Sequence, residues 1–164
     1  MKRYSDSLLA ALCAALLTSL AQADGVPMPR TALPKYTQEC GSCHMAFPPG
    51  MLPGASWQRI MTGLDRHYGT DASMDADSAR QISGWLQANA GTYKRVREAP
   101  AQDRITLAQW FKRKHDEVAP EVFRRASIKT PANCTACHGG AERGDFSEHA
   151  VRIRSHSEVR PTSP

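Results

Sequence analysis

The chain has 164 residues, of which 41% are hydrophobic, 7% aromatic and 23% charged, and its formal net charge is +5. This length and composition indicate one globular domain, or two small ones sharing a core, and exclude collagen-like and wholly disordered chains. The positive charge suggests a nucleic-acid or anionic-membrane partner. The five cysteines are an odd number and suggest an unpaired thiol. The positions of the charges and of the cysteines decide between these possibilities.

Residues 1–23 have the pattern of a secretory signal peptide. The cationic Lys2 and Arg3 precede an apolar run over 8–17 and the cleavage site Ala21-Gln22-Ala23. That run is shorter than the roughly 20 residues that span a bilayer, although an uncleaved anchor is the alternative. Cleavage near Ala23 discards Cys13, so the mature chain is predicted to be exported, with four cysteines and no integral membrane segment.

The first half of the mature chain is predicted to begin extended and then to form a helix. Residues 26–36 contain three prolines and are predicted to be extended, and Pro48-Pro49-Gly50 is predicted to form a turn. Helical spacing then predicts a helix from Ser56, as N-cap, to Tyr68, closed by Gly69. The apolar face of this helix consists of Trp57, Ile60, Met61 and Leu64, and His67 continues it.

Two further helices are predicted downstream. One runs from Asp75 as N-cap to Ala90, is ended by Gly91, and precedes a polar linker over 92–103. Its buried face consists of Ala79, Ile82, Trp85 and Leu86. Another is predicted by a capping box of Thr106 with Gln109 and a hydrophobic staple of Ile105 with Trp110. Its apolar face consists of Leu107, Phe111, His115 and Val118. A short turn at Val122-Phe123 and a Pro131 loop follow, and no strand alternation is found.

The four remaining cysteines form two C-x-x-C-H motifs, Cys40-Gly41-Ser42-Cys43-His44 and Cys134-Thr135-Ala136-Cys137-His138. This motif is typical of c-type haem attachment. Disulfides or a four-cysteine zinc site are the alternatives, and neither requires a histidine after both pairs. The sequence therefore predicts two c-type haems. Cys40, Cys43, Cys134 and Cys137 are the predicted covalent attachment sites, and His44 and His138 the predicted proximal ligands.

Each haem iron has a sixth coordination position, and its occupant distinguishes electron carriers from ligand-binding proteins. His67 lies 23 residues after His44, and His115 lies 23 residues before His138. Both fall on predicted apolar helix faces, so they are the predicted distal ligands. His149 and His156 lie in a polar stretch and are expected to be solvated. Methionine ligation of the first haem is the alternative, with Met45, Met51, Met61 and Met74 as candidates.

Several segments together resemble the small bacterial dihaem cytochrome c family. They are Cys40 to Pro49, the Trp57 to Gly69 helix with His67-Tyr68-Gly69, Ile105 to His115, and Asn133 to His138 followed by Ala141-Glu142-Arg143-Gly144. The resemblance implies a mainly α fold with helices packed around two covalently attached haems. It also implies proximal His44 and His138 and distal His67 and His115. Two pairings are open, because His67 could serve the first haem and His115 the second, or the reverse.

The family resemblance further implies a periplasmic electron carrier with two low-potential, bis-histidine haems. It would shuttle electrons between a membrane cytochrome b and a soluble monohaem cytochrome. The alternative is a small dihaem oxidoreductase, resembling a peroxidase, with an iron position that can be vacated. The expected organisation is a signal peptide over 1–23, a first haem-binding part over 24–104, a second over 105–155 that shares one core with it, and a flexible tail over 156–164.

Charge is unevenly distributed along the mature chain. Residues 24–90 carry a formal charge of −1 and residues 91–164 carry +5. Four haem propionates would bring the mature protein near neutrality, which removes the support for nucleic-acid binding. The basic second half predicts docking of an acidic partner near the second haem, and a solvated basic surface without a docking role is the alternative. The candidate side chains are Lys112, Arg113, Lys114, Arg124 and Arg125.

Overall fold

The computed structural model describes residue 29 and residues 32–153, so the expected signal peptide and tail lie outside it. Five α-helices occur in this part of the chain: α1 (Pro34–Cys40), α2 (Gly54–Thr62), α3 (Ala76–Asn89), α4 (Gln109–Lys114) and α5 (Pro120–Phe123). Short 3₁₀ turns and loops connect them, and the β-pairing within the described residues is limited to isolated bridges. The prediction of a mainly α fold is confirmed. None of the described helices is long and apolar enough to cross a membrane.

The helix α1 corrects the prediction of an extended segment up to Tyr36. Pro34 occupies the first turn of the helix, where its missing N–H removes no hydrogen bond and its fixed φ suits the helix. Prolines were therefore compatible with a helix start as well as with an extended chain. The consequence is that α1 carries Cys40 at its last position.

The core lies where α1, α2 and α3 meet. Tyr36, Leu52, Trp57, Ile82 and Leu86 form one buried cluster. Two polar tips within it are satisfied by backbone carbonyls, because the Tyr36 hydroxyl donates to Phe47 O at 2.6 Å and the Trp57 indole N–H donates to Pro49 O at 2.7 Å. These bonds hold the loop that follows the first motif against the core.

The helix α2 ends earlier than predicted and begins earlier too. It ends at Thr62, and Leu64–Arg66 continues as a 3₁₀ turn after Gly63, a residue with weak helix propensity. Ser56 is buried inside the helix rather than acting as its N-cap. His67 therefore lies beyond the helix, in a turn in which it pairs with Thr70.

The helix α3 confirms the prediction of its start. The Asp75 carboxylate accepts a hydrogen bond from the Ser78 backbone N–H at 2.9 Å, which satisfies one of the free donors of the first turn. Ile82 and Leu86 are buried as expected.

Beyond the helix, the buried Gly91 N–H donates to Leu52 O at 2.9 Å, and a Cβ at this position would lie 2.5 Å from both Gly50 O and Val96 Cγ1. Glycine is thus required by close approach of two chain segments.

The helix α4 is shorter than predicted and lacks the capping box. Thr106 belongs to a separate 3₁₀ turn, Ile105–Leu107, and α4 starts at Gln109 after Ala108, which makes no side-chain cap bond. Phe111 is buried as predicted. His115 is the C-cap residue of α4 rather than part of a longer helix.

The C-terminal part of the described chain returns across the second motif. The Arg152 N–H donates to Cys137 O at 2.9 Å, and His138 forms an isolated bridge with Val151. A left-handed Gly144, with φ of 78°, closes the turn that allows this return. Residues 138–152 therefore enclose the second motif with backbone hydrogen bonds rather than with a helix.

Candidate functional site

The first C-x-x-C-H motif starts at the end of α1 and continues into exposed turns. The Gly41 N–H closes the helix on Thr37 O at 2.9 Å, and a Cβ at Gly41 would lie 2.3 Å from that oxygen. Cys40 is half-buried, whereas Cys43 is exposed. Burial, assisted by the neighbouring Glu39, raises the pKa of Cys40 to about 11.

The second motif is more enclosed. Cys134 begins a 3₁₀ turn, and the His138 N–H donates to Cys134 O at 2.8 Å. Burial raises the pKa of Cys134 to about 11 and also raises the pKa of Cys137. These thiols therefore stay protonated near neutral pH, unlike thiolates poised for redox exchange.

The first two predicted ligand histidines face each other. The rings of His44 and His67 are 6.2 Å apart between centroids and inclined by 25°. His44 Nδ1 donates to Met45 O at 2.8 Å, which leaves Nε2 as the free ring nitrogen. Burial chiefly, then His44 and Arg104, lowers the pKa of His67, so its ring is neutral and able to bind a metal at neutral pH.

The other two predicted ligand histidines form a similar pair. The rings of His115 and His138 are 6.1 Å apart and inclined by 77°. His115 Nδ1 donates to Phe111 O at 2.9 Å, and its ring stacks on Phe111 at 4.0 Å. Burial chiefly, then His115, lowers the pKa of His138. Its buried Nδ1 has no hydrogen-bond partner among the described residues.

One continuous cavity of about 690 Å³ joins the two pairs. All four histidines and all four cysteines line it, together with apolar side chains from the core and from α4. Cavities of this size accommodate large, mainly apolar ligands. Thiols, facing imidazoles and an apolar wall are the surroundings that a covalently attached haem requires, so the residues fit the two predicted groups.

The alternative ligands have different placements. Met51, Met61 and Met74 line the cavity, and Met45 is not among its lining residues. His149 is exposed, and His156 lies outside the described residues. Over residues 32–153, no cluster of three or more His, Cys, Asp or Glu side chains has the arrangement of a metal site. The two cysteine pairs therefore do not come together as a four-cysteine zinc site.

Sequence reasoning missed several side chains that contact the histidines. The Tyr68 ring lies 4.8 Å from that of His67, and the Phe146 ring lies 5.5 Å from that of His138. Arg104 stacks over Tyr68 at 4.2 Å. The sequence shows only that Tyr68 follows His67, because the other contacts join residues that are not adjacent in the chain.

Comparison with known proteins gives consistent matches. The sequence model described as dihaem cytochrome c matches residues 36–146. A crystal structure of DHC from Rhodobacter sphaeroides is 44% identical over 71% of this chain and 98% of its own, with a TM-score of 0.61. The dihaem cytochrome type c from Shewanella baltica is 35% identical over 77% of this chain and 94% of its own, with a TM-score of 0.65. Among curated proteins no match was found.

Proposed function

The chain belongs to the dihaem cytochrome c family, and from that membership we propose that it is an electron carrier in which each haem iron is held between two histidines. Two c-type haems are the cofactors of this family. They supply the one-electron chemistry, and the polypeptide supplies attachment, ligands and an apolar enclosure. Cys40 and Cys43 would hold one haem, and Cys134 and Cys137 the other.

The separation of the facing rings carries the proposal. An imidazole nitrogen lies about 2 Å from a bound transition metal, and the ring centre about 1 Å further, so two imidazoles that bound one metal from opposite sides would have centroids roughly 6 Å apart. The values of 6.2 Å for His44 with His67 and 6.1 Å for His115 with His138 match this separation. They also support the pairing of His67 with the first motif and of His115 with the second.

Backbone carbonyls prepare two of the four imidazoles for ligation. Met45 O holds Nδ1 of His44, and Phe111 O holds Nδ1 of His115. Such a bond fixes the tautomer and the ring orientation and leaves Nε2 for the metal. With both axial positions filled, the chain would offer no open site for substrate chemistry, which favours the carrier over a peroxidase-like enzyme.

The pairing also supports the division of the chain. His44 and His67 fall within the proposed first haem-binding part, 24–104, and His115 and His138 within the second, 105–155. Both parts line the same cavity. We therefore propose two haem-binding parts that share one core rather than two independent domains.

We also propose that the protein is exported and that it exchanges electrons with two partner proteins. The signal-like residues 1–23 support a periplasmic location, where covalent attachment prevents loss of the cofactor. A membrane cytochrome b would supply electrons, and a soluble monohaem cytochrome would accept them. The exposed Lys112 and Arg113 on α4 lie next to His115, which supports docking of an acidic acceptor at the second haem.

Low-temperature EPR of the oxidised holoprotein tests the ligand sets directly. We expect two low-spin signals of bis-imidazole type, and negligible carbon monoxide binding by the reduced protein at neutral pH. His67→Ala and His115→Ala should each abolish one signal. His149→Ala removes an exposed histidine and should leave both unchanged. A near-infrared thioether-to-iron band, or rapid carbon monoxide binding by the unsubstituted protein, would contradict the proposal.

A further inference from the structure

A network of side chains surrounds the residue that follows His67. The Tyr68 hydroxyl donates to Gln102 O at 3.1 Å and to Asp103 O at 3.2 Å. Arg104 covers the Tyr68 ring at 4.2 Å. We name the group formed by Tyr68, Gln102, Asp103 and Arg104, together with Arg59, the Tyr68 clasp. It joins the turn that carries His67 to a loop 34 to 36 residues further along the chain.

The clasp is anchored to α2 by a two-pronged ion pair. Arg59 Nε and one terminal nitrogen bind the two carboxylate oxygens of Asp103 at 2.9 and 2.6 Å. The Asp103 side chain is only 15% exposed, and the Arg59 hydrogen bond lowers its pKa. Bidentate geometry fixes orientation as well as distance. The loop that holds Tyr68 is therefore fixed to the helix that precedes His67.

Unusual backbone geometry is concentrated at the same place. Of the four described non-glycine residues with positive φ, three belong to the clasp: Tyr68 at 51°, Gln102 at 56° and Asp103 at 55°. A bulky residue in the left-handed region costs roughly 1 kcal/mol or more and persists only where surrounding contacts impose it. The hydrogen bonds and the ion pair are the contacts that impose it here.

The two distal histidines differ in how they are held. His115 has a carbonyl partner for Nδ1 and a stacked Phe111 ring. The His67 ring has no hydrogen-bond partner within residues 32–153, and Tyr68 lies edge-on to it at 4.8 Å. The orientation of His67 therefore depends on the backbone of its turn. The Ala72 N–H closes that turn on Leu64 O at 2.8 Å, and the Tyr68 hydroxyl bonds it to the loop at Gln102 and Asp103.

We propose that the Tyr68 clasp is the positioning device for the distal ligand of the first haem. It rests on the proposed function, in which His67 binds that iron. Tyr68, Asp103 and Arg59 act through His67 and touch no reacting atom. The clasp sets how readily His67 leaves the iron, and with it how accessible the first haem is to external ligands. The second haem is independent of it.

The test uses the holoprotein and the substitutions Tyr68→Phe and Asp103→Asn. Tyr68→Phe keeps the ring beside His67 and removes only the hydroxyl, and Tyr68 is 42% exposed, so the fold should persist. Asp77→Asn is the matched control, because Asp77 also pairs with an arginine, Arg80, but within α3. Readouts are EPR at low temperature, carbon monoxide association by stopped flow, and thermal unfolding.

We expect Tyr68→Phe to broaden or shift only the EPR signal that His67→Ala abolishes. Carbon monoxide should bind one haem per chain about tenfold faster, which corresponds to a decrease of about 1.4 kcal/mol in the activation free energy of binding. Asp103→Asn should change both readouts in the same direction, and Asp77→Asn should change neither. Unchanged signals in both clasp variants would overturn the proposal. Lack of bis-imidazole signals in the unsubstituted protein would instead overturn the proposed function.

Discussion

The substitution Gly91→Ala should destabilise the protein, whereas the same change at Gly84 should stabilise it. A Cβ on Gly91 would lie 2.5 Å from Gly50 O and from Val96 Cγ1, while nothing lies within 4 Å of a Cβ on Gly84. Overpacking of a buried site costs about 1–3 kcal/mol. Alanine inside an exposed helix gains about 0.5–1 kcal/mol over glycine. The two variants should therefore differ in unfolding free energy by about 1.5–4 kcal/mol.

Guanidinium unfolding of the holoproteins, followed by far-ultraviolet circular dichroism, measures this difference. The slope of unfolding free energy against guanidinium concentration should be the same in the unsubstituted protein and in both variants, so that shifts of the midpoint report stability alone. Gly91 is bonded to Leu52, which lines the cavity, so Gly91→Ala should also shift the EPR signal of the first haem. Equal stability of the two variants would refute the argument that contact between chain segments selects glycine at position 91.

Three further predictions concern ligation, docking and pH. His115→Ala should let carbon monoxide bind one haem per chain in a spectroscopic titration of the reduced protein, since only one iron loses a ligand; binding to both haems or to neither would refute the proposed role of His115 as the ligand of a single iron. Lys112→Glu with Arg113→Glu should slow electron transfer to an acidic monohaem cytochrome at low salt and reduce its salt dependence, whereas a stopped-flow rate unaffected by salt in the unsubstituted protein would exclude steering. The Ser78 side chain and then its backbone N–H lower the pKa of Asp75. Its stabilising contribution is therefore complete above the ordinary pKa of about 3.9 and is lost as pH falls through the lower folded value. Asp75→Ala should consequently destabilise the protein at neutral pH in denaturant titrations, with the difference vanishing in acid.

Local patterns predicted those parts of the fold that depend on neighbours in sequence. The helix α3 starts where the Asp75 cap and the spacing of Ile82 and Leu86 indicated. The predicted helix over α2 extends too far because Leu64 and His67 keep a helical spacing, although the chain changes to a 3₁₀ turn after Gly63. The helix α1 was missed because proline suits both an extended segment and a first helical turn.

The candidate site was predictable in its residues but not in its geometry. The two C-x-x-C-H motifs singled out six site residues, and spacing with helical periodicity singled out His67 and His115. All eight remain predictions to be tested by spectroscopy. Which distal histidine faces which motif depends on the path of the whole chain, so spacing left it open. The contact of Tyr68 with Asp103 spans 35 residues and follows no local pattern, which is why sequence reasoning found Tyr68 only as a neighbour of His67.

The shared cavity has a consequence for the order of events during maturation. The cavity of about 690 Å³ has an apolar wall that includes Leu52, Trp57 and Phe111, and without haem these side chains would lose their packing partners or contact water. Folded proteins have a total stability of only about 5–15 kcal/mol, so a loss of this kind is large relative to the stability available. We therefore expect the polypeptide without haem to be less stable and more readily cleaved by proteases than the holoprotein. Covalent attachment would then be the step that commits the chain to folding, rather than a modification of a finished fold.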